Sequence, residues 1–313
     1  MVLGYDPDTI TKSTFIHHIA SGTLGGAVTR ALISPFDVVK IRFQLQSEAG
    51  KARRYRGLFQ ATRVIFKEEG VTAFWKGHIP AQWLSMVYGG VQFCAFEFFT
   101  TIVHQILPHS RQETVKNMTT HGVCGALSAI VATIVAQPLD VLRTRFAAQT
   151  EPKMFTSATR AAFFMVRQEG YFSLYRGLIP SLVQIVPFSA MQFGSRSFFE
   201  AVWIRHGLKP GNFSEFICGG CAGLLAKTFV YPLDVVKKRL QIQGFAAPTV
   251  SQIRHYRSFF HCFSAIWRHE GFLAFFKGFK AAALKSSLTS GLVFATYRFF
   301  REQFEPEKTD SGG

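Results

Sequence analysis

Charge is scarce in this chain, and acid is scarcer than base. Only 17% of its 313 residues are Asp, Glu, Lys or Arg, and 19 acidic side chains stand against 35 basic ones, a formal net charge of +16. Hydrophobic residues make up 48%, with 34 phenylalanines among them, so apolar segments must alternate with basic ones. That is the balance of a lipid-embedded body with basic rims. A nucleic-acid binder would gather Lys and Arg on a soluble face or in a recognisable motif; neither is present, and no nucleic-acid partner is expected. Cysteine is also sparse. Cys94, Cys124, Cys218, Cys221 and Cys262 are too few in so long a chain for a disulfide framework and read as reduced thiols. Cys218-x-x-Cys221 has a spacing that zinc and redox sites use, but no second pair or histidine set accompanies it. Cys218 precedes Gly219 as Cys124 precedes Gly125, which reads as small-residue packing. Asp6 and Asp8 occupy the place where a signal peptide wants basic residues, so any targeting signal is expected to be internal. No Gly-rich phosphate loop, His-Glu-x-x-His, nucleophile motif or calcium loop occurs, so neither catalytic residue, metal nor cofactor is expected.

What the chain has in abundance is itself. Pro35-x-Asp37-x-x-Lys40-x-Arg42 returns as Pro138-x-Asp140-x-x-Arg143-x-Arg145 and as Pro232-x-Asp234-x-x-Lys237-x-Arg239. Each copy is followed by an echo: Glu69-Gly70 to Trp75-Lys76-Gly77, Glu169-Gly170 to Tyr175-Arg176-Gly177, and Glu270-Gly271 to Phe276-Lys277-Gly278. A period near one third of the length means three copies of one structural unit. The expected organisation is an N-terminal segment 1–13, repeats 14–108, 109–208 and 209–304, and a polar tail 305–313. Within the repeats the patterning predicts long helices over 14–44 and 78–103, 115–147 and 178–203, 213–243 and 279–303. Shorter ones are predicted over 57–68, 157–168 and 258–269. The six long segments suffice to cross a bilayer, although several carry Lys, Arg or Pro that weaken a hydropathy signal.

The first long helix of each repeat carries a small-x-x-x-small pair, Gly22 and Gly26, Gly125 and Ala129, Gly219 and Gly223, a spacing that allows close backbone approach in lipid. Each then meets its Pro, which removes a backbone donor and can turn the lower helix toward a common axis. If the three converge, Asp37, Asp140 and Asp234 meet Lys40, Arg143 and Lys237 in a ring of inter-repeat ion pairs. Ionisable residues at membrane depth mark functional sites by default; such a ring reads as a gate.

These motifs resemble those of the mitochondrial carrier family from about Phe15 to Phe304. The resemblance implies an all-α membrane protein: six transmembrane helices in three pseudo-threefold repeats with three short matrix helices, monomeric, in the mitochondrial inner membrane. It makes the Asp/basic ring a matrix gate braced by a Gln nine positions after the Pro. Gln44 and Gln241 match, whereas repeat two has Ala147, so an incomplete brace is expected. A second, cytoplasmic gate departs from the family pattern in every repeat, at Phe96-Glu97-x-x-Thr100, Arg196-Ser197-x-x-Glu200 and Tyr297-Arg298-x-x-Arg301. A weak cytoplasmic network and an empty carrier open to that side are therefore expected. Lys76-Gly77, Arg176-Gly177 and Lys277-Gly278 open helices whose N-termini suit phosphate. By resemblance they bind cardiolipin together with Gly57.

Cargo contacts are sought where the repeats disagree. Seven positions beyond each echo Gly stand Leu84, Gln184 and Lys285, with Ser85 and Ile185 beside the first two; one turn further come Tyr88, Phe188 and Thr289. Five positions before each Pro stand Arg30, Thr133 and Lys227. Arg30, Lys227 and Lys285 have no matching partner in the repeat pattern and suit multiply charged phosphate. Tyr88 and Phe188 can stack a flat ring whose polar edge Gln184 reads. The site therefore fits a phosphorylated organic anion, leaving ATP, deoxynucleotides and coenzyme A open. A small-carboxylate or proton carrier would need less ring-binding surface. Within the family, Thr29 to Gln46, Asp140 to Lys153 and Tyr231 to Phe245 resemble the branch that carries thiamine pyrophosphate. That resemblance implies its exchange for nucleotides or related phosphates.

Overall fold

The computed structural model describes residues 12–46, 55, 57–106, 113–151, 154–155, 157–206, 212–245 and 256–304, and every element among them is helical. The elements are α1 (Lys12–Leu45), α2 (Leu58–Glu69), α3 (His78–Ile106), α4 (Glu113–Ala148), α5 (Ala158–Glu169), α6 (Leu178–Val183), α7 (Ile185–Arg205), α8 (Asn212–Gln241), α9 (Phe259–Glu270) and α10 (Phe279–Phe304). A 3-10 segment joins each short helix to the next long one, at Val71–Trp75, Tyr171–Tyr175 and Phe272–Phe276. Three stretches, Val71–Val103, His121–Ala148 and Tyr171–Arg205, are long and apolar enough to cross a membrane by length and composition.

One expected helix is interrupted. The segment 178–203 breaks at Gln184 into α6 and α7, because Pro187 has no N–H to give the carbonyl of Val183 four residues earlier. The chain bridges the gap with Gln184 N–H donating to Pro180 O at 3.2 Å and Phe188 N–H to Gln184 O at 3.0 Å. Pro187 belongs to one repeat only, so the threefold pattern does not flag it. The motif prolines Pro35, Pro138 and Pro232 lie inside continuous α1, α4 and α8. The carbonyl freed by Pro35, that of Ala31, accepts the Trp75 indole N–H at 3.0 Å.

The tertiary arrangement follows the triplication. Helix α3 packs along α4, α7 along α8, and α10 returns to α1, closing the bundle. The buried core lies toward one end. Each short helix has its own apolar cluster, such as Ile65 with Ala61, Ala73 and Phe74, or Ile266 with Cys262, Ala274 and Phe275. A further cluster joins all three repeats where α1, α4 and α8 finish: Val38, Ile41 and Leu45, Ala147 and Ala148, Ile242 and Phe245. The first long helices thus converge at their C-terminal ends.

Among the described residues, the glycines of the small-residue pairs do not pack as expected, although Ala129 is buried. A Cβ at Gly26, Gly125, Gly219 or Gly223 would meet no heavy atom within 4 Å. The physical reason is position: these glycines lie several turns from the end where the helices converge. The glycines of the echo are the ones in close contact. Gly77, Gly177 and Gly278 have φ of +84°, +80° and +81°, a region open to Gly at little cost. A Cβ on Gly77 would lie 2.7 Å from the carbonyl of Arg143, on Gly177 3.1 Å from that of Lys237, and on Gly278 3.0 Å from that of Lys40. Each repeat therefore leans on the first helix of the next through a residue without a side chain.

Candidate functional site

The structure brings the six ring residues together, each acid pairing with the base of the following repeat. Arg143 Nη2 lies 2.5 Å from Asp37 Oδ2, Lys237 Nζ 2.9 Å from Asp140 Oδ2, and Lys40 Nζ 3.3 Å from Asp234 Oδ2. All three carboxylates are buried. Lys40 also lies over the Tyr231 ring, 5.7 Å from its centroid. The ring thus crosses every repeat boundary, which an intrahelical pairing on a solvated face would not do.

The braces are unequal. Gln241 Nε2 donates to Asp140 Oδ2 at 2.7 Å, and its Oε1 accepts from Thr144 Oγ1 at 2.7 Å. Gln44 is equally buried, yet neither of its amide atoms is in a hydrogen bond. A residue outside the repeated motif completes the Asp140 corner. Lys238 Nζ donates to Asp140 Oδ1 at 3.0 Å, to Thr144 Oγ1 at 2.9 Å and to Gln241 Oε1 at 2.9 Å. Its signal is present in the sequence, since the equivalent positions in the other repeats are Ile41 and Thr144.

The lysines expected to await cargo are already paired. Lys285 Nζ reaches Asp37 Oδ1 at 2.5 Å and Lys227 Nζ reaches Asp234 Oδ2 at 2.6 Å. The repeat pattern hides the first pair because α10 meets α1 only in the fold, whereas Lys227 and Asp234 share α8 and lie two helical turns apart. Arg30 differs from both. Its guanidinium donates to the carbonyl of Ala81 at 3.0 Å and sits in the field of Arg143 and Asp37. Thr133 is turned back on its own helix, donating to Ala129 O at 2.7 Å, and Thr289 likewise to Lys285 O. Leu84, Ser85, Tyr88, Gln184, Ile185 and Phe188 are half-buried, and the side-chain oxygen of Gln184 has no hydrogen-bond partner.

Beneath the ring lies a second threefold system, built from residues that the sequence pattern marks only as parts of the motif. Arg42 holds Glu69 through two bonds of 2.5 and 2.8 Å and donates to the carbonyls of Ala147 and Gln149. Arg145 holds Glu169 and the carbonyls of Gln241 and Gln243. Arg239 holds Glu270 and those of Gln44 and Gln46. Each arginine thus ties its own short helix to the last carbonyls of the next repeat's helix, where a cation also favours the helix dipole.

The basic residues of the echo join this system. Lys76 bonds Glu69 at 2.6 Å, Lys277 bonds Glu270 at 2.7 Å, and Arg176 bonds Glu169 at 2.5 Å and the carbonyl of Gln243. The Lys76 side chain is 5% exposed. The Lys76 and Lys277 side chains are thus largely buried against their glutamates, while Arg176 stays 28% exposed. Gly57 caps α2 with an extended backbone. Burial alone would raise the Glu270 carboxyl, but hydrogen bonds and charge from Arg239 and Lys277 outweigh it and hold it at about 2. Glu69 is likewise lowered, burial being overcome by Arg42 and Lys76.

At the opposite end, Arg196 and Glu200 pair within α7 at 2.7 Å, with Ser197 beside them donating to Phe193 O. The Phe96 ring stacks near His121. The side chains of Tyr297, Arg298 and Arg301 lie outside the described residues, as do 1–11 and 305–313. Cys124, Cys218 and Cys262 are buried free thiols, and burial pushes that of Cys262 up to about 12.

The sequence profile of the mitochondrial carrier protein family matches residues 11–106, 114–207 and 209–308. The chain belongs to this family. It is 45% identical over 97% of both chains to the mitochondrial thiamine pyrophosphate carrier of Macaca fascicularis, and 44% identical with the same coverage to that of Homo sapiens. The mitochondrial thiamine diphosphate carrier 1 of Zea mays is 34% identical over 90% of this chain and 92% of its own. A family of carriers, with a polar ring inside an apolar bundle, makes this chain a membrane transporter rather than an enzyme.

Proposed function

We propose that this carrier moves thiamine pyrophosphate across the mitochondrial inner membrane in exchange for nucleotides or related phosphates, alternating between ring-closed and ring-open forms. The observation that carries the reading is the set of three cations, Arg30, Lys227 and Lys285, that break the repeat symmetry beside the ring. A pyrophosphate tail has the charge and acceptor oxygens to engage them, and Arg30 offers a fork suited to phosphate. Tyr88, Phe188 and Gln184 provide apolar faces and one unpartnered amide oxygen for the heteroaromatic rings. The names of the relatives support the same cargo.

The closed Asp/basic ring acts as the matrix gate, and the form described is the one open to the cytoplasmic side. The glycines facing empty space on α1, α4 and α8 then supply the close packing of the other form. Cardiolipin seated at the N-termini of α3, α6 and α10 steadies the joints between repeats, and the carrier works as a monomer.

The test is purified protein in liposomes loaded with labelled thiamine pyrophosphate, competed by ATP, dATP, coenzyme A and malate. Robust exchange of thiamine pyrophosphate and phosphorylated compounds, with malate inert, is expected. Malate exchange without thiamine pyrophosphate exchange would sink the proposal. Lys285→Ala should abolish most transport while the protein remains folded; unchanged transport removes the central phosphate contact.

A further inference from the structure

The two long helices of one repeat touch only sparsely, whereas each packs along a helix of a neighbouring repeat. Three seams, α1/α3, α4/α7 and α8/α10, therefore divide the bundle. At its base each seam is tied by the residue before the motif Pro: Ser34 donates to Phe74 O at 3.3 Å, Gln137 to Arg176 O at 2.9 Å and Tyr231 to Lys277 O at 3.0 Å. Repeat one carries further ties above this level. The Trp75 indole N–H donates to Ala31 O at 3.0 Å, Arg30 to Ala81 O at 3.0 Å, and Gln82 Nε2 to Ala27 O at 3.1 Å while lying 3.3 Å from His78 Nε2. From Ser34 to Ala27 the bonds follow α1 for about 10 Å. The matching places in the other repeats differ in kind: Tyr175 and Phe276 have no indole N–H, Leu182 and Ala283 have no side-chain donor, and Thr133 and Lys227 are turned to Ala129 O and Asp234.

We infer that Gln82 and Trp75 clasp repeat one, so that the carrier changes form by tilting the α7–α8 pair against the other four long helices, with the break at Gln184 as its hinge. The inference goes beyond the function proposed above and holds for any cargo. Helix α10 is joined to α1 by the Thr29 and Thr296 hydroxyls at 2.8 Å and by Lys285 with Asp37, and α3 packs along α4. The clasped first seam thus links α10, α1, α3 and α4 into one body. In hydrocarbon a parted donor finds no water to replace its partner, so each added tie resists opening of that seam. The α7–α8 pair lies between the two other seams and has a joint of its own. A hinge is a few residues that absorb a change of backbone angle while the packed elements on either side stay whole. Gln184 and Ile185 meet that description, because Pro187 interrupts the helical ladder there. Below them α6 is packed on α4 and α8, next to Gly177 and its contact with Lys237; above them α7 is packed along α8. Arg30 can serve both clasp and anion, since a guanidinium has several N–H donors.

The test is pulsed dipolar spectroscopy on the purified full-length carrier in liposomes, with spin labels on a keto amino acid so that the native cysteines stay in place. Label pairs at the exposed positions Leu24 and Phe98, Leu127 and Phe198, and Leu225 and Leu288 span the three seams in turn. The distance distributions of the second and third pairs should be at least about twice as broad as that of the first, and Gln82→Leu should broaden the first to match them. A first pair as broad as the others in wild type, or one unchanged by Gln82→Leu, overturns the inference. If Gln82→Leu fails to fold, Trp75→Phe removes the indole N–H with little volume and should broaden the first pair alone; no broadening overturns the clasp. Pro187→Ala, which restores the missing donor, should narrow the second pair, and an unchanged width there overturns the hinge. The cargo reading fails separately, through liposomes that exchange no thiamine pyrophosphate, and leaves these widths as they are.

Discussion

Glu270→Gln is the sharpest test of the arginine system beneath the ring. Glu270 is 5% exposed and accepts two bonds from Arg239, itself fully buried, and one of 2.7 Å from Lys277. The substitution leaves both cations in place with a neutral amide between them. Breaking a buried pair by removing one partner costs about 3–5 kcal/mol, because the remaining charge has no compensation. At roughly 2–3 °C per kcal/mol for a chain of this size, the unfolding midpoint in detergent should fall by about 6–15 °C. The exposure of each glutamate orders the series: Glu69 at 2% should match Glu270, whereas Glu169 at 12%, with its second cation Arg176 28% exposed, should lose less. The same contact sets a pH dependence. Glu270 is held at about 2, below its ordinary 4.5, so its contribution is whole above the unfolded value and is lost as pH falls through about 2. A fluorescence-detected thermal scan reads all of this. A Glu270→Gln midpoint within about 2 °C of wild type would refute the reasoning.

Three further outcomes are expected. Gln241→Ala should cost about 1.5–3 kcal/mol by taking a donor from the buried Asp140, while Gln44→Ala should cost less, since its amide makes no close hydrogen bond to a ring carboxylate; thermal shift of the two proteins settles the order. Gly77→Ala should lower the unfolding midpoint by several degrees, since its Cβ would lie 2.7 Å from the Arg143 carbonyl at a backbone angle unfavourable for Ala; refolding yield and thermal scan report it. A Cβ in Gly219→Ala meets no atom within 4 Å in this form, so the variant should leave the unfolding midpoint within about 3 °C, yet it should slow exchange in liposomes if the other form packs there. Normal exchange would show that the glycine has no such part.

Much of the fold was legible because it is written three times. The Pro/Asp/basic motif and its echo located the helices to within a few residues and named which residues belong to the scaffold. The miss within α6 and α7 was local, a single Pro187 in one repeat only, and a rule read from agreement between repeats overlooks what one repeat alone possesses. The site was legible in part for the same reason. Arg30, Lys227 and Lys285 stood out as exceptions to the pattern, but their partners did not, because Lys285 meets Asp37 across 248 positions of sequence.

By itself the sequence determined the triplication, the six motif residues of the ring, the missing Gln of repeat two and the basic excess: each is a property of residue type and spacing. Only the tertiary structure decided who pairs with whom. Direction around the ring, the pairing of Lys76, Arg176 and Lys277 with their glutamates, the arginine ties to the next repeat and the second cation at Asp140 all depend on where three helices converge. Helical spacing places side chains along one helix; it says nothing of the distance between a lysine on one helix and a carboxylate on another, and that distance decides whether a cation awaits an anion or already holds one.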